Sequence, residues 1–194
     1  MKQLDILVEE LSMTYVLRAV LPQVLPVGWE LNQNVFIRTH DGKQDLRNSI
    51  PLKLRAARKS GIKRGFIILQ DQDSNNCVAL KNDIDAICRK SLGMAPVPYL
   101  VRIVCHELEA WYLGDMEAIE HVSAKFKKGQ YENRALFRNP DSCVNPKSEL
   151  KKMIGDYQQI EMAKNIGPEM NIANNKSNSF NCFISGIQRL IAQM

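Results

Sequence analysis

An α/β fold, a mainly parallel sheet flanked by helices, is the architecture this sequence predicts, and three observations predict it. Short apolar runs of strand length alternate with amphipathic stretches of helical spacing through the first half of the chain. That alternation is the mark of parallel strands joined by right-handed helical crossovers. The clearest run, Gly65-Phe66-Ile67-Ile68-Leu69-Gln70, has no polar alternation, as suits a strand covered on both faces. Acidic residues follow three of the strand-like runs, at the strand ends where open parallel sheets collect their ligands.

Leu4 to Val8 carries only Asp5 among apolar residues and reads as the first strand. After Ser12, a good N-cap, Val16, Leu17, Val20, Leu21 and Val24 mark one helix face, which Pro26 and Gly28 end. Val35-Phe36-Ile37 reads as the second strand, ending near the His40 to Lys43 turn, so that Lys43 falls on a loop, by default as a solvated lysine and alternatively as one that reaches a phosphate. Pro51 suits a first helical turn, and the next helix is expected from there to Gly61. Asp71 closes the third strand, Asn76 to Leu92 forms an amphipathic helix ended by Gly93, and Tyr99 to Val104 is the fourth strand. Beyond Glu107 the pattern is helical and polar, with turns at Asn139-Pro140, Asn145-Pro146 and Gly167-Pro168 and a mobile loop expected around Lys125 to Ser142. One domain over residues 1–194 follows, with a sheet core at 1–115 and a mostly helical extension at 116–194.

Composition narrows the class. With 45% hydrophobic and 24% charged residues the chain is neither disordered nor fibrous. Its five cysteines contain no Cys-x-x-Cys pair, which argues against a zinc knuckle or a thiol redox motif and fits a reducing compartment. Asp5, Glu9 and Glu10 interrupt the only apolar run near the N-terminus, unlike a signal peptide, and no run approaches the roughly 20 apolar residues that span a bilayer. A cytoplasmic protein without membrane contact is expected. The net charge of +5 permits, without demanding, a nucleic-acid partner.

The acids carry the chemistry. Glu9-Glu10 follows the first strand, Asp71-x-Asp73 the third, and Glu107-x-Glu109 the fourth. Carboxylates brought together disfavour one another's ionisation, and a divalent cation among them removes that penalty. Magnesium takes oxygen ligands and keeps several waters, so a few carboxylates suffice. Asp71 and Asp73, two apart, face the same way if the backbone is extended, whereas only one of Glu9 and Glu10 can join them. Against this stand the plainer roles of helix caps and solvated loop acids. His106 is a candidate proton shuttle or a structural histidine; Trp111 and Tyr112 would pack the helix after the fourth strand, or stack on a base. The Lys53, Arg55, Arg58, Lys59, Lys63, Arg64 cluster is either a nucleic-acid stripe or a solvated helix face, and Lys164 and Lys176 are candidate late lysines.

Leu7-Val8-Glu9-Glu10-Leu11-Ser12-Met13, Ile67 to Asp73, the Glu107-Leu108-Glu109-Ala110-Trp111 run with Gly114-Asp115, and Asn174-x-x-Ser177-x-Ser179-Phe180 together resemble the bacterial family called domain of unknown function 4276. The resemblance runs nearly end to end. It implies a Toprim-like domain, related to topoisomerase and primase catalytic domains and to overcoming-lysogenisation-defect nucleases. On that resemblance Glu9, Asp71 and Asp73 are catalytic ligands of Mg2+ (or Mn2+), and Glu107 and Glu109 hold a second ion. It further implies a nuclease acting on nucleic acid beside a separate ABC- or AAA-type ATPase subunit in phage defence, and it leaves room for a homo-oligomer. The chain has no Gly-x-x-x-x-Gly-Lys-[Ser/Thr] loop of its own. Glu10 and Ser74 stand where Toprim proteins usually carry glycine, which motivates an alternative: a non-catalytic subunit that keeps the fold and binds a partner or regulates it. A receiver-like signalling domain, with Glu9-Glu10 and Asp71 as its acids, is a third reading.

Overall fold

The computed structural model describes residues 2–194. Strands β1 (Lys2–Val8), β2 (Val35–Thr39), β3 (Lys63–Asp71) and β4 (Tyr99–Val104) form one sheet in the order β2-β1-β3-β4. Every pairing is parallel, with Val8 beside Thr39 and Leu69, and Asp71 beside Val104. The expected α/β class is therefore the observed one. Helix α1 (Leu11–Val20) packs on the sheet face that carries Leu4, Ile6, Val8, Ile67 and Leu69. Helices α2 (Lys43–Arg58) and α3 (Cys77–Leu92) cover the other face, against Leu7, Phe66, Ile68, Val101 and Ile103. Crossovers that leave β1 on one face and reach β3 over the other open a crevice between the carboxyl ends of those two strands. A receiver-like sheet continues to a fifth strand; among the described residues the chain after β4 forms only helices and turns.

Two boundaries differ from the sequence reading. Helix α1 begins at Leu11 with extended Glu10 at its N-cap, and Ser12 sits buried in the first turn with its hydroxyl on Glu10. Helix α2 begins at Lys43, so Pro51 lies inside it. The proline forfeits one backbone hydrogen bond, but the buried stripe of Leu46, Ile50, Leu54 and Ala57 runs through it at helical spacing and holds the helix together. Gly42 (φ 90°) supplies the left-handed turn into the helix. Lys43 thus stands on the first helical turn at the carboxyl edge of the sheet, not on a loop. The helix then carries Arg55, Arg58 and Lys59 toward Lys63, where β3 starts, so the basic cluster gathers at the opposite edge from the acids.

Beyond β4 come α4 (Glu109–Leu113), α5 (Met116–Val122), α6 (Ala135–Arg138), α7 (Pro146–Ile154), α8 (Gln159–Glu169) and α9 (Asn178–Ala192). The stretch expected as a mobile loop is a chain of short helical turns with Phe126 and Phe137 buried, Phe126 stacking on Tyr131 at 5.1 Å between centroids. None of the described helices is long and apolar enough to cross a membrane. All five cysteines are free thiols; Cys88 and Cys143 are buried and Cys182 is exposed.

The last motif of the sequence is a clamp. Trp111 is fully buried against Phe180 and Phe183, and its Nε1 donates to Ser179 Oγ at 2.9 Å. Asn175 Nδ2 donates to the Trp111 carbonyl at 2.8 Å. Ser177 caps α9 by accepting the Phe180 N–H and donates its own hydroxyl to Asp141 at 2.6 Å. The Ser179 N–H donates to the other Asp141 oxygen at 2.7 Å. This network fixes α4, and with it Glu109, relative to α9. Gly114 leaves room for it: a Cβ there would collide with Asn175 Oδ1 and lie 2.9 Å from the Ser177 nitrogen. We expect Gly114→Ala to destabilise the fold by on the order of 1–3 kcal/mol, lowering the urea midpoint at unchanged slope; an unchanged midpoint would show that the clamp yields freely.

Candidate functional site

The carboxyl ends of β1, β3 and β4 each hand over to a segment that carries acids. After β1 the chain passes through Glu9 into the N-cap residue Glu10. After β3 it turns sharply, with Asp73 in the left-handed region (φ 47°), and after β4 His106 does the same (φ 57°). The Asp73 N–H donates to the His106 carbonyl at 2.7 Å, tying the two turns together. Positive φ at two non-glycine residues is backbone strain of the kind found at functional sites, and Asp and His tolerate it better than most. It also removes the extended backbone on which Asp71 and Asp73 were expected to face the same way.

Asp71 is the centre of the arrangement. It is 7% exposed, and its Oδ1 has no hydrogen-bond partner. Burial holds its carboxyl well above the usual carboxylate range, and the charges of Glu9, Glu10 and Glu109 push it further, opposed by the Leu108 N–H. The Asp71 N–H reaches a Glu9 carboxylate oxygen at 3.4 Å. Glu9 is half-buried and shifted upward by that burial, with Lys43, the Asp71 N–H and Arg47 counteracting it. Glu10, expected to point away, joins the cluster, because it stands beyond the strand at a helix cap where alternation no longer applies. Gln159 Nε2 donates to Glu10 at 2.6 Å.

Glu109, 1% exposed, is raised by burial and eased by Tyr157, whose hydroxyl donates to it at 2.5 Å, and by Lys147. The Tyr112 hydroxyl, fully buried and without a partner, faces the charges of Glu109, Glu10 and Asp71 and is held well above the usual tyrosine range, first by burial. Glu107 lies apart from Glu109, half-buried, accepting the Lys147 backbone N–H at 3.3 Å. Asp73 forms an ion pair with Lys43. The charges of Glu9, Glu10 and Glu109 thus all bear on Asp71, while Asp73 and Glu107 line a cavity beside them. Among the described residues, no group of three His, Cys, Asp or Glu side chains stands in a ready-made metal-holding arrangement.

The remaining candidates sort plainly. His40 is the satisfied structural histidine, between the Val8 carbonyl (2.9 Å) and Ser49 (2.7 Å), whereas His106 Nδ1 is buried without a partner. Trp111 and Tyr112 are core residues rather than stacking platforms. Lys164 lies over the Tyr15 ring and Lys176 lines a cavity beside Gly114 and Asp115; the lysines that bear on the acids are Lys43 and Lys147. Tyr157 and Gln159 went unnoticed in the sequence, where no spacing or motif marks them.

A model of the family described as Domain of unknown function (DUF4276) matches residues 8–188. No curated protein and no solved structure matches the chain.

A carboxyl whose folded-state pKa is raised takes up its proton in the native state first, so it favours folding as pH falls through that raised value. Asp71, Glu9 and Glu109 all shift this way from ordinary values of 3.8 and 4.5. Free of divalent cations, the protein should gain stability on acidification from neutral pH toward those ordinary values. Asp71→Asn should be more stable than wild type at neutral pH, by about 1 kcal/mol or more, or roughly 2–4 °C in Tm. The variant should also show a smaller gain on acidification. Thermal melts across pH in EDTA check both signs; an Asn variant less stable than wild type at neutral pH would contradict them.

Proposed function

This chain belongs to the family described as Domain of unknown function (DUF4276), and we propose that its acidic site is the Mg2+-dependent centre of a Toprim-like nuclease that hydrolyses phosphodiester bonds. The observation that carries this reading is the state of Asp71. A buried carboxylate with an orphaned oxygen, pressed by three other carboxylates, is a costly arrangement that one divalent cation relieves. The donor set is all oxygen, as magnesium or manganese prefers, so its chemistry suits the ion, although the carboxylates would have to close around it. It sits in the β1–β3 crevice, where parallel sheets bind ligands. The positions that match the Toprim pattern, Glu9, Asp71 and Asp73, lie at this same edge.

In this reading Glu9, Asp71 and Asp73 hold the first ion, and Glu107 and Glu109 contribute to a second, with Glu10 adding charge beside Asp71. When bound, the metal supplies an activated water and charge stabilisation at the phosphorus-bound oxygens. Lys43, paired with Asp73 and acting on Glu9, would exchange Asp73 for the ion and balance charge at the rim. Tyr157 and Gln159 orient Glu109 and Glu10 by donating to them, which fixes the carboxylates before substrate arrives. On the same resemblance the domain would act with an ABC- or AAA-type ATPase in the cytoplasm in phage defence, these residues carrying no nucleotide-binding loop themselves.

One observation favours a second reading, a non-catalytic binding or regulatory subunit: Lys43 already neutralises Asp73. The Toprim resemblance adds to it, since Glu10 stands where that pattern usually carries glycine. A site retired in this way would bind cations weakly and tolerate Glu9→Ala.

Two measurements separate these readings. We expect wild type to cleave DNA or RNA with Mg2+ or Mn2+, and Asp71→Asn and Glu9→Gln each to lose roughly 100-fold or more, since even outer partners of a metal are worth 10–100-fold. Either ion should raise the Tm of wild type and leave that of Asp71→Asn in place. No cleavage together with no cation-dependent rise in Tm would overturn the nuclease reading in favour of the second.

A further inference from the structure

The sequence spreads its cysteines without a pair motif, yet the fold brings three of them to one place. Cys77, Cys105 and Cys182 line a single cavity at the edge strand β4, between α3 and α9. They are the three thiols that solvent reaches: Cys77 and Cys105 are half-buried and Cys182 is exposed, whereas Cys88 and Cys143 are buried.

The backbone makes neighbours of Cys77 and Cys105. The Gln72 N–H donates to the Val104 carbonyl at 2.9 Å and the Asp73 N–H to the His106 carbonyl at 2.7 Å, so Cys105 lies across from the start of the turn after β3. Gln72 and Asn75 close that turn. The Asn75 N–H donates to the Gln72 carbonyl at 3.1 Å, and each side-chain amide donates to the other's carbonyl at 2.9 Å. The chain is thereby returned to Cys77, the first residue of α3, close enough that its charge bears on Cys105.

The surroundings suit thiol chemistry. Reactive cysteines sit in partly exposed, electropositive sites, and Lys81, one turn beyond Cys77 on α3, lines this cavity together with Arg102 of β4. Neither takes part in an ion pair among the described residues. Arg102 donates to neutral carbonyls, those of Cys182 (3.0 Å) and Val101 (3.1 Å). Asp141 is the acid that bears on Cys105, and it is already engaged by the Ser177 hydroxyl and the Ser179 N–H. Two cations in the lining make the cavity a poor place for a third, and among the described residues the thiols form no group of three arranged to hold a metal ion. Exchange between sulfurs is the chemistry this leaves to the pair.

We infer that Cys77 and Cys105 form a reversible disulfide, made by exchange with a low-molecular-weight disulfide, RSSR. The Cys77 thiolate attacks one sulfur of RSSR, forming a mixed disulfide and expelling RS−. The Cys105 thiolate then attacks the Cys77 sulfur, closing the bond and expelling the second RS−. The two protein thiols are oxidised, RSSR is reduced to two RSH, and these take up the two thiol protons. The closed bond adds a covalent tie beside the hydrogen bond that joins the Asp73 and His106 turns, and it forms whether or not the acids bind a cation.

Mass spectrometry of the folded full chain reads the reaction after incubation with glutathione disulfide at neutral pH, blocking of remaining thiols with iodoacetamide, and tryptic digestion. The wild-type chain should lose two hydrogens, with the Cys77 and Cys105 peptides joined, and dithiothreitol should restore the starting mass. Cys182→Ser, a change at an exposed position, should form the same bond, and Cys105→Ser should stop with glutathione on Cys77. Glutathione retained on both Cys77 and Cys105, a bond from either to Cys182, joining seen only in urea, or no reaction at the pair would each overturn the inference.

Discussion

Mutual repulsion of carboxylates around Asp71 is the constraint on which the rest of the structure depends. Asp71 is buried at the end of β3, and Glu9 and Glu10 beyond β1 and Glu109 beyond β4 each raise the cost of ionising it. Such a cluster survives only if rigid surroundings hold it and some positive charge or shared proton compensates it. The chain supplies both. Trp111, Asn175, Ser177 and Ser179 lock α4 to α9 and so deny Glu109 an escape. Tyr157, Gln159 and the Asp71 and Leu108 N–H groups donate to the carboxylates, while Lys43, Arg47 and Lys147 lend charge from outside.

The crevice divides these partners by face. Lys43 and Arg47 arrive on α2, from the sheet face of Leu7 and Ile68, and act on Glu9 and Asp73. Glu109, Tyr112 and Tyr157 arrive from the helical region on the other face. Asp71 stands at the boundary, its N–H on Glu9 and its carboxyl under the charges of Glu9, Glu10 and Glu109. The left-handed turns at Asp73 and His106 serve this division, because they swing the chain out of the β3 and β4 planes immediately after Asp71 and Val104.

The four strands, α3 and the position of the acids at one sheet edge were legible in the sequence, because buried strands announce themselves as unbroken apolar runs and parallel topology fixes which ends share an edge. Three things were not. The start of α2 was hidden because Pro51 reads locally as a helix beginning, whereas the apolar stripe from Leu46 onward decides the matter only once it is packed. The contribution of Glu10 was hidden because strict alternation holds within a strand, and Glu10 lies past its end. Tyr157 and Gln159 were hidden because they act through tertiary approach, reaching acids about 50 and 150 residues away in the chain, and no local pattern encodes that distance. The motif rich in Glu107, Glu109, Trp111 and Gly114 divides in the same way: Glu109 bears on Asp71, Glu107 lies apart on the Lys147 backbone N–H, and the Trp and Gly belong to the clamp.

The account stands or falls on whether the acids around Asp71 are a cation site. Crystals of the protein grown with Mn2+, with anomalous difference density measured at a wavelength where manganese scatters, address it directly. The account predicts a peak between Glu9 and Asp71, with Lys43 withdrawn from Asp73. Crystals at saturating Mn2+ with no peak there and the Lys43–Asp73 pair intact would contradict it.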